Sequence, residues 1–169
     1  MRERTRKYFL FVIVVSLAVS ADVATKATVE AFFAGRSGAL VVIPGFFQIV
    51  QVHNPGGVGQ LFAGRLGVLV AVTLVAMGVI AWMLLVASPG RAWEIVALAM
   101  LFGGAAGNLY DRLRYGYVRD FLDFHIGEGP FRHYPAFNVA DSVLVVGAAM
   151  LALGLWGRKA KPSEDEEAA

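Results

Sequence analysis

Two aspartates, Asp120 and Asp141, are the residues best placed to do chemistry together. Asp120 follows a chain turn at Gly116 and is embedded in Val118, Phe121 and Phe124, while Asp141 sits in the first turns of an apolar, helix-like run behind Phe137-Asn138-Val139-Ala140. Two carboxylates sharing one partly dry site cannot both ionise cheaply, so one keeps a proton and the pair titrates as a unit. That suits aspartic peptide hydrolysis: the ionised member takes a proton from water while the protonated member polarises the scissile carbonyl. An Asp at a helix start also serves as an N-terminal cap or dipole partner, and the pattern alone leaves Asp141 open to either role.

Other polar residues gather near the same two stretches. Asp111 stands beside Arg112 and Arg114, which favours structural pairing over catalysis, and Asp123 reads as a solvated loop charge. Asp22 and Lys26, spaced i,i+4, read equally as a helix-face ion pair or as support for a site. Asn108 and Arg112 have the same spacing; they could hold substrate carbonyls, orient a carboxylate, or simply close a helix end. His53, His125 and His133 are scattered without His-Glu-x-x-His spacing, which argues against a metallopeptidase. Ser142 adjoins Asp141 with no Ser-Lys or Ser-His arrangement, and Gly56-Gly57-Val58-Gly59 lacks the Lys-Ser/Thr of a phosphate loop. The absence of cysteine excludes disulfides, thiolate zinc sites and a Cys nucleophile.

The elements that must position these groups are apolar. With 57% hydrophobic and 17% charged residues and a mean hydropathy of +0.62, the 169-residue chain reads as a multi-pass membrane protein forming one domain, residues 1–169. No basic patch interleaves with stacking aromatics, so no nucleic-acid partner is expected. Arg2, Arg4, Arg6 and Lys7 precede an apolar run from Tyr8 to Ala21 whose Val19-Ser20-Ala21 could be a cleavage site, but the Asp22/Lys26 pair favours a retained helix over about 8–28. Glu30 to Arg65 is punctuated by Gly and Pro, and Phe46 to Val52 is rich in strand formers, which predicts a small sheet lying on the membrane surface within about 30–65. Further spanning helices are expected at about 66–87, 92–113 and 136–157, with an outer loop at about 114–135 and a disordered tail at about 159–169. Gly103 and Gly107 form a small-xxx-small pair suited to close helix approach.

Eight Lys/Arg flank the N-terminus, the Arg91 turn and the C-terminus, against six in the two long connections. The eight lie in short flanks, which predicts cytoplasmic termini and outward-facing long connections. Asp22, Lys26, Asn54, Asn108, Asp111, Arg112, Asp120, Asn138 and Asp141 then converge on one face of the bilayer. A proton- or ion-coupled transporter is a competing class, but it predicts ionisable residues through the bilayer depth, and the centres of the second, third and fourth spans carry none. A non-catalytic membrane scaffold or lipid-binding protein is a third.

At these residues the chain resembles the lipoprotein signal peptidases (signal peptidase II), bacterial membrane aspartic peptidases. The resemblance rests on Asp22-Val23-Ala24-Thr25-Lys26, His53-Asn54-Pro55-Gly56, Gly104-Ala105-Ala106-Gly107-Asn108-Leu109-Tyr110-Asp111-Arg112, Gly116-Tyr117-Val118-Arg119-Asp120-Phe121 and Phe137-Asn138-Val139-Ala140-Asp141-Ser142. It implies an all-α integral membrane fold of four transmembrane helices with a small extracytoplasmic β-cradle and outer loop. Asp120 and Asp141 would be the catalytic pair, Asn54, Asn108, Arg112 and Asn138 would line or brace the site, and Asp22, Lys26 and Asp111 would support it. The implied substrate is a diacylglyceryl-modified prolipoprotein cut on the amino side of its lipidated Cys, with no metal or organic cofactor. The implied setting is the bacterial cytoplasmic (inner) membrane, with membrane lipid around a monomer and the active site near the extracytoplasmic face. Gly59 stands where an aromatic is expected, a departure that bears on how the outer loop covers substrate.

Overall fold

The computed structural model describes residues 2–57, 62, 64–125 and 135–159. Four helices and three strands follow in the order α1 (Arg2–Phe33), β1 (Leu40–Ile43), β2 (Phe47–Asn54), α2 (Leu66–Val86), α3 (Ala92–Tyr115), β3 (Val118–Phe124) and α4 (Val139–Lys159). α1, α2 and α3 are long and apolar enough to cross a bilayer; the apolar part of α4, Val139–Gly154, is shorter. At 1.5 Å per residue α1 is about 48 Å long, more than the roughly 30 Å of hydrocarbon, so it projects beyond the membrane. It therefore extends the expected 8–28 helix at both ends.

α3 is the hub of the bundle, because small residues let two neighbours reach its backbone. A methyl group on Gly103 would lie 2.8 Å from Ala18 Cβ of α1, and one on Gly104 would lie 2.6 Å from the Ala140 carbonyl of α4. Such contacts replace the hydrophobic drive that lipid cannot supply between helices. α2 packs chiefly on α3, meets α1 where Lys7 reaches the Leu85 carbonyl, and otherwise presents Val, Leu and Trp outward. Those outward side chains suit a hydrocarbon surrounding.

The three strands form one antiparallel sheet in the order β1-β2-β3. Within the expected outer region at 114–135, Val118–Phe124 is a strand, held by its partner β2 some seventy residues earlier, with Val118, Arg119, Asp120, Phe121 and Asp123 all buried. Gly116 provides the turn, with φ of 83° and its N–H bonded to the Arg112 carbonyl, so the chain leaves α3 and doubles back at once. Between Ile49 and Val52 the β2–β3 register slips, placing Val52 opposite Asp120 and Asn54 opposite Val118. Such bulges re-aim the side chains beside them. Phe137 pins the other edge of β3 by exchanging backbone hydrogen bonds with Leu122, which delivers the start of α4 against the strand. The segment holding Gly59 and the tail from 160 onward lie outside the described residues.

Candidate active site

Where α3, α4, β2 and β3 meet, they enclose a cleft of about 880 Å³. Asn54, Asn108, Arg112, Asp120 and Asp141 line it, and the apolar walls include Val50, Val52, Leu144 and Val145. Four further expected residues sit just behind: Asn138 is fully buried, and Asp22, Lys26 and Asp111 have no exposed side-chain surface. The structure thus brings all nine sequence candidates to one end of the bundle.

Asn138 ties the two carboxylates together. Its side-chain amide donates to Asp120 Oδ1 at 2.6 Å, and its backbone N–H donates to Asp141 Oδ2 at 3.3 Å. In return the Asp141 N–H donates to Asn138 Oδ1 at 3.0 Å. This reciprocal pair is a capping box, with Asn138 as the cap of α4 and Asp141 three residues on. The capping role open to Asp141 is therefore real, and the carboxylate still lines the cleft. Ser142 is accounted for by a bond from its hydroxyl to the Asn138 carbonyl at 3.0 Å.

The second oxygen of each aspartate has its own asparagine. Asn54 Nδ2 donates to Asp120 Oδ2 at 2.9 Å, and its Oδ1 accepts from the Gly56 N–H at 3.2 Å, which fixes the amide orientation. Asn108 Nδ2 donates to Asp141 Oδ1 at 2.8 Å. Asn108 Oδ1 accepts from Lys26 Nζ and from Asn138 Nδ2, both at 3.1 Å, so its amide nitrogen can only face Asp141. Burial in the sheet pushes the Asp120 carboxyl up to about 6; the Asp141 charge adds to that rise, and the Asn54 and Asn138 hydrogen bonds oppose it.

Beneath the cleft lies a charged network. Lys26 Nζ stands 2.7 Å from Asp22 Oδ2 and 3.1 Å from Asp111 Oδ2, and Asp22 Oδ1 accepts the Ala140 N–H at 2.9 Å. Asp111 is gripped by Arg119, whose Nη2 donates to Oδ1 at 2.7 Å and whose backbone N–H donates to Oδ2 at 3.0 Å. Arg119 also reaches Glu30 at 2.8 Å and packs 4.4 Å over the Tyr115 ring. The sequence pattern favoured structural pairing for Asp111, and so it is, but the partners are Lys26 and Arg119 rather than its neighbours Arg112 and Arg114. Arg112 points into the cleft with no carboxylate at ion-pair distance among the described residues.

One residue was misread. Asp123 is not a solvated loop charge: it is buried in β3, accepts from Gln48 Nε2 at 2.7 Å, and lines the cleft. The sequence carries little signal for this, because neither Val118, Asp120 and Leu122 nor Arg119, Phe121 and Asp123 makes a uniformly apolar face, and only β2 beside them covers the acid. Among the described residues no three His or acid side chains are placed to hold a metal ion.

Apolar helices of membrane-crossing length around a cleft with paired carboxylates put the chain in the class of membrane-bound enzymes. The family model described as signal peptidase (SPase) II matches residues 13–156. A lipoprotein signal peptidase of Geobacter metallireducens is 37% identical over 161 residues, covering 94% of this chain and 97% of the relative. One from Syntrophotalea carbinolica is 36% identical over 153 residues, covering 89% and 92%. A bacterial membrane enzyme solved at 2.3 Å superposes with a TM-score of 0.80 at 26% identity, covering 91% of this chain and 92% of that one. The chain belongs to the signal peptidase II family.

Proposed function

We propose that Asp120 and Asp141 are the catalytic pair with which this chain, a lipoprotein signal peptidase by family, cleaves the signal peptides of prolipoproteins. The observation that carries the assignment is Asn138, which holds both carboxylates at once on the wall of one cleft. Asp120, raised to about 6 by burial, takes up a proton more readily than an ordinary carboxyl, which suits it to the general-acid role. It donates to the scissile carbonyl oxygen while ionised Asp141 draws a proton from water, and the hydroxide so formed adds to the carbonyl carbon. Collapse of the tetrahedral species expels the amine of the Cys residue, which takes up a proton from the pair. Asn54, Asn108 and Asn138 keep the carboxylates in register through these steps, and Arg112 is placed to hold substrate carbonyls.

The substrate is a prolipoprotein whose Cys already carries diacylglycerol, cut on the amino side of that Cys. A cleft with polar groups above and Leu144 and Val145 below suits such a substrate, because its acyl chains remain in lipid while the scissile bond reaches water. All four helices span the inner membrane in this reading, with both termini cytoplasmic, the cleft at the extracytoplasmic face, and the enzyme a monomer surrounded by lipid. β1, whose Leu40, Val41, Val42 and Ile43 are all exposed, rests on the membrane surface. The test is a gel-shift cleavage assay on purified protein with diacylglyceryl-modified and unmodified prolipoprotein. Cleavage of the modified form alone, and its loss by more than about a thousandfold in Asp120→Asn and in Asp141→Asn, are expected. If each variant still cleaves at the wild-type rate, the pair is misassigned.

A further inference from the structure

The end of the bundle opposite the cleft carries a second arrangement of charge and apolar surface, about 22 Å along α1 from Asp22. Lys7 is 4% exposed there, and its ammonium donates to the carbonyls of Ala87 at 2.7 Å and Leu85 at 3.3 Å, closing the C-terminal end of α2. Among the described residues, carbonyl oxygens are its only hydrogen-bond acceptors. Among the described residues no carboxylate stands at ion-pair distance from Lys7 or from Arg6. Both residues line a cavity of about 340 Å³ between α1 and the α2–α3 turn, with Glu3 as its one acid. Arg2 adds another cation on the adjoining surface beside Arg6 and Phe9. A buried charge at a membrane boundary calls for a counter-charge, and the protein leaves this one short.

The apolar half of the cavity has a direction. Phe9, Leu10 and Ile13 continue down α1 from Arg6, and Ile95 closes the wall from α3. Phe9 and Ile13, 66% and 39% exposed, lie one above the other at i,i+4, about 5 and 10 Å further along the helix than Arg6. A phosphate at Arg6 and Lys7 with a chain lying along Phe9 and Ile13 satisfies both halves. We infer that this cavity binds an anionic phospholipid, its phosphate facing Arg6 and Lys7 and one acyl chain following Phe9 and Ile13. The site is independent of the catalytic assignment, since no residue is shared.

Full-length protein in mild detergent, titrated with dioleoyl-phosphatidylglycerol or dioleoyl-phosphatidylcholine and weighed by native mass spectrometry, tests it. Wild type retains phosphatidylglycerol in clear preference, and Arg6→Gln lowers that preference by about fivefold, the effect of one basic residue at a lipid surface. Arg4→Gln, which does not line the cavity, leaves the ratio unchanged. Arg6→Gln spares the Lys7 closure of α2, so an unchanged melting temperature shows that binding rather than folding has moved. Equal retention of the two lipids by wild type, or an Arg6→Gln ratio equal to wild type, overturns the inference. So does loss of the preference on adding millimolar inorganic phosphate, which would make the cavity a phosphate site and not a lipid site.

Discussion

Lys26→Met removes the one cation shared by two buried acids. In wild type the Lys26 ammonium sits 2.7 Å from Asp22 and 3.1 Å from Asp111, with no side-chain surface of any of the three exposed. The two acids do not lose equally. Asp111 keeps Arg119 through its side chain and its backbone N–H, whereas Asp22 keeps only the Ala140 N–H. Deleting one partner of a buried pair costs about 3–5 kcal/mol, because the remaining charge is left without compensation. For a chain of this size that lowers the melting temperature by roughly 6–20 °C. Asp22→Asn in the same background removes the orphaned charge while retaining an acceptor for Ala140, so the double variant recovers at least about half of the loss. Thermal unfolding in detergent, followed by tryptophan fluorescence, reads both. Activity adds a second reading, since Asn108 loses one of the two donors that turn its amide toward Asp141 and kcat falls in the fraction that remains folded. A Lys26→Met melting temperature within about 3 °C of wild type, or a double variant no more stable than the single, would refute the reasoning.

Two further outcomes follow from the same contacts. Gly107→Ala would set a methyl group 2.6 Å from Asp22 Oδ2 and force the ion pair apart, so folded yield and activity drop sharply; Gly78→Ala, with nothing within 4 Å, is neutral or stabilises by up to about 1 kcal/mol. Thermal melts of the two variants side by side make the comparison, and equal behaviour would count against the packing described. Asp120, ordinarily near 3.8, is raised to about 6 in the fold, so the native state holds its proton more tightly than the unfolded chain. That contribution, about 3 kcal/mol, is fully present below pH 3.8 and is lost as pH rises through 6. Melting temperatures from pH 4 to 7 should fall less steeply in Asp120→Asn than in wild type; parallel curves would show that Asp120 titrates normally.

Much of this was legible because membrane helices announce themselves. The runs at 66–87 and 92–113 match α2 and α3 to within two residues, since a bilayer leaves few other forms for a long apolar segment. The Asp22/Lys26 spacing correctly put both on one helix face. What spacing could not supply were the partners across the fold: Lys26 with Asn108 and Asp111, Arg119 with Glu30, Asp123 with Gln48. Those depend on how β3 turns back at Gly116 and lies against β2, a pairing between stretches some seventy residues apart. The strand itself is hard to read for the same reason: it lacks an apolar-polar alternation, and its polar members look solvated until the partner strand covers them. Asn138 is the middle case. The resemblance implies that it lines or braces the site, but only the adjacency of Phe137 to Leu122 shows how one residue can cap α4 and reach Asp120.

That cap has a consequence for control of the enzyme. The hydrogen bonds that begin α4 are the same bonds that orient Asp141, so helix initiation and assembly of the carboxylate pair are a single event. On the proposed assignment, unwinding the first turn of α4 would part Asp141 from Asn138, and so from Asp120, before any other helix has to move.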